Sequence, residues 1–359
     1  MAFGIQPLTR EMRRMQHPEL SETHSRYSRQ HLFAPIGITG QQKLGAARVA
    51  VVGAGALGTV ISNHMVRAGV GFTRIIDRDI IEWSNLQRQT LYDEADAAEA
   101  KPKALAAAEK LSKVNSQVQI EPMVTDLTAA NAERLLRDVD LILDGTDNFA
   151  TRFLINDVAV LHRLPWIYAG AVASRGMVAP FLPDGPCFRC LFPDDPDHAH
   201  GETCDTVGVI GPLTDIVGSL ASTLALKCIV GAPIARTLTH LDVWEGRQST
   251  MKLPAKQENC STCGRRIFSY LHTDRAPETV SLCGRDTIQV TPNTNRTLSL
   301  DALAKEVRAV AQSVTQTPFF VRVMIDTFTL TVFSDGRALI QGTSDTGVAR
   351  SLYARYVGT

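Results

Sequence analysis

Residues 48–79 read RVAVVGAGALGTVISNHMVRAGVGFTRIIDRD, and this stretch decides the fold. Its apolar run 49–52 has the composition of a strand buried on both faces. Gly53-Ala54-Gly55-Ala56-Leu57-Gly58 then forms a G-x-G-x-x-G turn. A helical pattern follows, with Leu57, Val60, Ile61, Met65 and Ala68 on one face and Gly69 as its stop. A second strand, 73–76, ends at Asp77. Each glycine has a physical task in such a βαβ unit. Gly53 allows the tight turn, Gly55 lets backbone amides approach a phosphate, and Gly58 lets the helix pack close to the strand. The helix N-terminus offers N–H groups and partial positive charge to phosphates. Asp77 stands about 20 residues on, where a carboxylate can bind ribose hydroxyls. The stretch predicts a nucleotide site without saying which nucleotide.

Working outward, strands alternate with helices for some way. Helices are expected at 38–46, 103–114, 129–136 and 149–161, and strands at 118–123, 139–143 and 166–169. Pro102 suits the first turn of the helix that follows it. This alternation predicts a Rossmann-like, doubly wound, mainly parallel sheet. Strands at 177–182 and 241–244 and a long helix at 216–230 extend it less regularly. Residues 192–202, rich in Pro, Asp and His, have loop composition. After Cys263 the pattern changes to short strands and two helices, which predicts a small C-terminal α+β domain. The expected organisation is a loosely held tail at 1–24, a main unit at 25–270 and the small domain at 280–359.

The 359 residues can bury a large core. Lys plus Arg equals Asp plus Glu at 37 each, so no overall basic field favours nucleic acid. No apolar run of membrane-span length and no signal-peptide core stand out, which gives a cytoplasmic expectation. Seven cysteines in such a chain suggest metal or thiol chemistry rather than a disulfide frame. Cys187-Phe188-Arg189-Cys190 and Cys260-Ser261-Thr262-Cys263 are matched C-x-x-C knuckles, and four thiolates suit a closed tetrahedral Zn²⁺ site. Such a site is structural, because it leaves no open position for catalysis. Cys228, in an apolar helix, reads as core packing, and Cys283 has no assignment. Asn85, Arg88 and Lys103 follow the second strand, where cations can hold phosphates or simply face solvent. Asp147 falls at the carboxyl edge of the sheet. With Asp144 it could hold Mg²⁺, or it could cap the next helix.

RYSRQ (26–30), GAGALG (53–58), DRD (77–79), SNLQRQ (84–89), KPK (101–103), DGTDN (144–148) and the paired knuckles occur in this order. The set resembles the ThiF/MoeB/HesA family, bacterial relatives of the ubiquitin-activating enzymes. WSNLQRQTLY, CFRCLF, ETCDTVGVIGP and the tail segments LCGRDTIQV, DGRALIQGT and YARYVG are similar to its long ThiF form. The resemblance implies ATP-dependent adenylylation of the C-terminal glycine of a ubiquitin-like sulfur carrier, with release of pyrophosphate. It implies that Asp77 binds the ribose, that Asn85, Arg88 and Lys103 hold the phosphates, and that Asp147 holds Mg²⁺. It implies that Arg29 reaches a neighbouring subunit's ATP in a homodimer. It places Cys204 where the family carries a cysteine for sulfur handling, against the plainer reading of an unused loop thiol. A sulfur donor, a cysteine desulfurase or a rhodanese, would then be a partner. Three rival readings remain: activation of the molybdopterin sulfur carrier, an NAD(P)-dependent oxidoreductase suggested by the glycine turn alone, and a non-catalytic carrier-binding scaffold.

Overall fold

The structure, a computed structural model, describes residues 26–193, 207–272, 279–282, 286–292 and 298–358. The tail at 1–24, most of the 192–202 loop, Cys204 and Cys283 lie outside the described residues. Two helices, α1 (Ser28–Leu32) and α2 (Gly37–Ala46), lead into β1 (Arg48–Val52). Then follow α3 (Ala56–Ala68), β2 (Phe72–Ile76), a 3₁₀ turn (Trp83–Asn85), α4 (Glu94–Ala98), α5 (Lys103–Val114) and β3 (Gln119–Met123). The chain continues through α6 (Ala129–Leu136), β4 (Leu141–Asp144), α7 (Phe149–His162), β5 (Trp166–Val172) and β6 (Arg175–Phe181). After α8 (Phe188–Leu191) come α9 (Gly211–Val230), β7 (Thr237–Asp242) and β8 (Arg247–Lys252).

These strands form one eight-stranded sheet in the order β3-β2-β1-β4-β5-β6-β7-β8. The first five are parallel, and β6, β7 and β8 are added antiparallel. Alternation along β1 sorts the two cores. Val49 and Val51 face a cluster with Leu57, Ile61, Leu213 and Val217. Ala50 and Val52 face another with Leu135, Leu136, Phe153 and Trp166. Apolar cover on both faces is what a parallel sheet requires. The strand order turns outward between β1 and β4, which makes the crevice at their carboxyl ends the expected ligand position.

The C-terminal sheet contains β9 (Thr279–Leu282), β10 (Thr287–Val290), β11 (Ser313–Gln316), β12 (Phe320–Ile325), β13 (Phe328–Phe333) and β14 (Ala338–Gln341). Their order is β11-β12-β13-β14-β10-β9, all antiparallel. Helices α10 (Leu300–Val307) and α11 (Thr346–Tyr356) cover one face. Phe320, Phe333 and Leu339 form a separate cluster with Ile80 and Ala100 of the main unit.

Several elements differ from the sequence expectation. β7 begins and ends earlier than 241–244, because Trp244 sits exposed in the turn beyond it. α9 starts five residues before the expected 216, with Pro212 in its first turn and Leu213 and Val217 buried inward. By length and composition α9 alone among the described helices would cross a membrane. Its inner face is nevertheless packed on the main sheet. β8 went unforeseen because RQSTMK has no apolar alternation, and all six residues are exposed on an edge strand.

Candidate active site and metal centre

The glycine turn closes by contact between backbones. Gly53 takes φ +88°, a left-handed conformation that glycine adopts without strain. A Cβ on Gly58 would lie 1.8 Å from Gly53 O, so only glycine fits where α3 leaves β1. Gly145, just past β4, packs against both, its ideal Cβ position 2.8 Å from Gly53 O. The loop after β4 is thereby pressed against the glycine turn.

Asp77 holds this turn. Its carboxylate accepts from Ala54 N at 2.6 Å and from Asp79 N at 2.7 Å. Each carboxylate oxygen keeps a further lone pair for another donor. Burial raises the Asp77 carboxyl, and Lys103 works against that rise. Lys103 is buried at the start of α5, with Nζ 3.1 Å from Asp79 Oδ2. Burial disfavours its charge, but Asp79 and Asp77 outweigh this and its pKa is raised. Burial likewise opposes the Asp79 charge, yet Lys103 and Arg78 hold that carboxyl well below its usual range. The site therefore carries a fixed ammonium at neutral pH.

Asn85 is buried, and its Oδ1 accepts from Glu82 N at 3.0 Å. Its Nδ2 has no partner among the described residues, and neither has Gln89 Oε1. Buried amides are normally satisfied, so these two orphaned groups beside the glycine turn fit a ligand. Arg88 is half-buried, with Nη1 3.0 Å from Ser84 O. Asp147 is exposed, and its charge raises the pKa of Lys103, Arg78 and Arg152. It lies in the loop between β4 and α7, two residues after Gly145. The helix cap belongs to Asn148, whose side chain accepts from Thr151 N at 2.8 Å, and not to Asp147. Asp144 is withdrawn from the Mg²⁺ position considered for it. It is buried, accepts from Thr146 N and Oγ1, and pairs with Arg152 Nε at 3.1 Å.

Gly53, Gly55, Gly58, Asp77 and Lys103 thus lie together at the carboxyl ends of β1 and β2, with Asn85 and Arg88 in the segment after β2 and Asp147 in the loop after β4. Arg29 does not join them. Its helix is anchored at the far end of α3, where Gln30 Nε2 donates to Ala68 O at 3.0 Å. A 13-residue helix separates that end from the glycine turn by about 20 Å. Sequence reasoning missed Gln89 and Tyr92. Both follow Arg88 closely, but spacing alone gave them no role. Tyr92 braces the turn from behind, its hydroxyl 2.7 Å from Ala54 O. Arg78 was also missed, and it pairs with Asp126 at 2.7 Å.

The knuckles meet although 73 positions separate their paired cysteines. Sγ–Sγ distances are 4.0 Å for Cys187–Cys190, 3.6 Å for Cys187–Cys260 and 3.4 Å for Cys190–Cys263. All four sulfurs lie within 4.8 Å of one another. Tetrahedral zinc with Zn–S of about 2.3 Å needs sulfurs about 3.8 Å apart, so the group fits zinc. The contact with Cys187 lowers the Cys190 thiol to about 4. Helix α7 positions both knuckles. Asn156 Oδ1 accepts from Phe188 N at 2.8 Å, and Asp157 accepts from Tyr270 N at 2.9 Å and Thr262 Oγ1 at 3.3 Å. Neither residue stood out inside the apolar run around it. Cys228 lies partly buried against the core, as a packing residue does.

A parallel sheet with a glycine turn at its switch point, a buried ammonium beside an acidic strand end and a cluster of four cysteines that could hold a metal ion mark the chain as a Rossmann-like α/β protein. Residues 27–262 match the model of the ThiF family, and the chain belongs to that family. It is 41% identical over 335 residues to the sulfur carrier protein ThiS adenylyltransferase of Bacillus subtilis, covering 93% of this chain and 99% of that one. It is 40% identical to the sulfur carrier protein adenylyltransferase of Thermus thermophilus, over 68% of this chain and 92% of that protein. The adenylyltransferase and sulfurtransferase MOCS3 of Sus scrofa is 36% identical, over 67% of this chain and 53% of its own. Among solved structures, E. coli MccB with ATP superposes with a TM-score of 0.58 at 22% identity, over 67% of this chain and 74% of that one. The family assignment removes the oxidoreductase reading that the glycine turn alone allowed.

Proposed function

We propose that this chain adenylylates the C-terminal glycine of a ThiS-type sulfur carrier. One observation carries the choice of carrier. Similarity to the Bacillus ThiS adenylyltransferase runs through the C-terminal sheet, whereas the MOCS3 similarity covers two thirds of the chain. The carrier's carboxylate oxygen attacks the α-phosphorus of ATP, the bond to the bridging oxygen breaks, and pyrophosphate leaves. No general base is needed, because the carboxylate is already a nucleophile. The protein's contribution is positioning and charge stabilisation.

In this reading Asp77 receives the ribose hydroxyls. Asn85 Nδ2, Lys103 and Arg88 hold the phosphates, and Asp147 would hold Mg²⁺, which supplies charge neutralisation there. Arg29 serves the site of a second copy. The distance along α3 supports this, and so does the outer face of α9. That face leaves Ile216 exposed and Leu220, Leu224 and Ile229 only half-buried in a helix of mean hydropathy 1.5. The cysteines hold a structural zinc. Cys204 lies outside the described residues and outside the adenylylation step, which needs no thiol; its role would come when a separate sulfur donor delivers to the activated carrier. ATP–pyrophosphate exchange tests the reading. Exchange should depend on the ThiS-type carrier and exceed that with a molybdopterin-type carrier by at least about tenfold. Equal exchange with both would overturn the assignment of the carrier.

A further inference from the structure

The C-terminal sheet docks directly behind the Asp77-Arg78-Asp79 strand end. Beside the apolar contact of Phe320, Phe333 and Leu339 with Ile80 and Ala100 lies a polar one. Arg337 is 2% exposed, and its Nη2 donates to Arg78 O at 2.8 Å. Its guanidinium lies over the Phe333 ring at 3.9 Å. Asp335 is 3.7 Å from Nε, and Nε and Nη1 have no hydrogen-bond partner among the described residues. Gln289 reaches Asp126, which is also the partner of Arg78.

Burying a cation with a single hydrogen bond is costly, and an apolar residue would glue two sheets together better. The peptide that Arg337 grips gives the contact its purpose. The carbonyl of Arg78 and the amide of Asp79 belong to one planar peptide unit. Arg337 holds its oxygen, and Asp77 Oδ1 accepts its N–H at 2.7 Å. A rotation of that plane would turn the Asp77 carboxylate and, through Asp77 Oδ2, disturb Ala54 N in the glycine turn.

We propose that Arg337 is a positioning residue for ATP: through the Arg78–Asp79 peptide it fixes the Asp77 carboxylate, and docking of the C-terminal domain is thereby coupled to ATP binding. This rests on the ATP reading of the crevice given above. Coupling of this kind is reciprocal, so ATP tightens the docking by the same factor as docking tightens ATP.

The test uses the full chain with its zinc. Arg337→Met keeps the side-chain length and the contact with Phe333 but loses the donor. It should weaken ATP binding and raise the KM for ATP about tenfold, within the usual range of such couplings. The kcat at saturating ATP should stay within about twofold. Arg337→Lys, which can still donate to the carbonyl, should recover most of the affinity. In the wild type, saturating ATP should slow amide hydrogen exchange in residues 328–341. Unchanged exchange there in an ATP-bound wild type overturns the coupling, whatever the variants do. So does wild-type ATP affinity in Arg337→Met, or an equal loss in Arg337→Lys. If the wild type binds no ATP, the proposed function falls first and this inference falls with it.

Discussion

Lys103 is the residue on which the crevice's charge balance turns. It is buried between the carboxylates of Asp77 and Asp79, both of which it counters. Asp79 gives this arrangement a pH signature. Its folded pKa lies below the ordinary carboxylate value of about 3.9. Its stabilising contribution is therefore fully present above that value and is lost as pH falls through the lower folded value. Asp79→Asn should lower stability by a constant amount from pH 7 to about pH 5, and the gap to wild type should close below about pH 4. Denaturant midpoints across that range measure it, and a gap independent of pH would refute the assignment. The place of Asp77 at a strand end was legible from spacing; Lys103 was not, since spacing left it free to face solvent and only the fold shows it buried. The orphaned amide of Asn85 and the withdrawal of Asp144 onto Arg152 were not legible either, because both depend on contacts across the sheet.

At the level of elements, the glycine turn and α7 do the positioning. A methyl group on Gly58 would meet Gly53 O at 1.8 Å, and neither backbone can yield. Gly58→Ala should cost more than about 4 kcal/mol, or prevent folding outright, and a thermal melt beside wild type shows which. The zinc reading makes a separate demand. One equivalent should co-purify, and Cys260→Ser should abolish it and lower Tm by about 5 °C or more, a shift corresponding to a few kcal/mol in a chain this size. Metal analysis showing no zinc in wild type would remove the site. The core elements α3, α5 and α6 were readable because apolar periodicity marked them. β8 and β11 were not, since an exposed edge strand is defined by its neighbour's hydrogen bonds and carries no apolar pattern of its own.

For the whole molecule the question is how many chains make one site. If Arg29 acts across a dimer, Arg29→Ala and Asp147→Ala should each be inactive alone. Mixed after subunit exchange, they should recover up to about a quarter of wild-type exchange activity, because half the dimers are mixed and each has one intact site. No recovery, with exchange of subunits confirmed, would place Arg29 outside the reaction. The knuckles carry a last consequence, for the order in which the molecule is made. Cys187 leaves the ribosome 73 residues ahead of Cys260, its partner in the cluster. By then β1 to β6 are already synthesised, and they can pair before the second knuckle exists. Closing so long a loop from a disordered chain would cost about 4 kcal/mol. A sheet that has already formed bears most of that cost. If zinc fills the cluster, it would therefore join segments that an already formed sheet has brought together, and cells short of zinc would accumulate chains with the strands of the main sheet paired and the knuckles open.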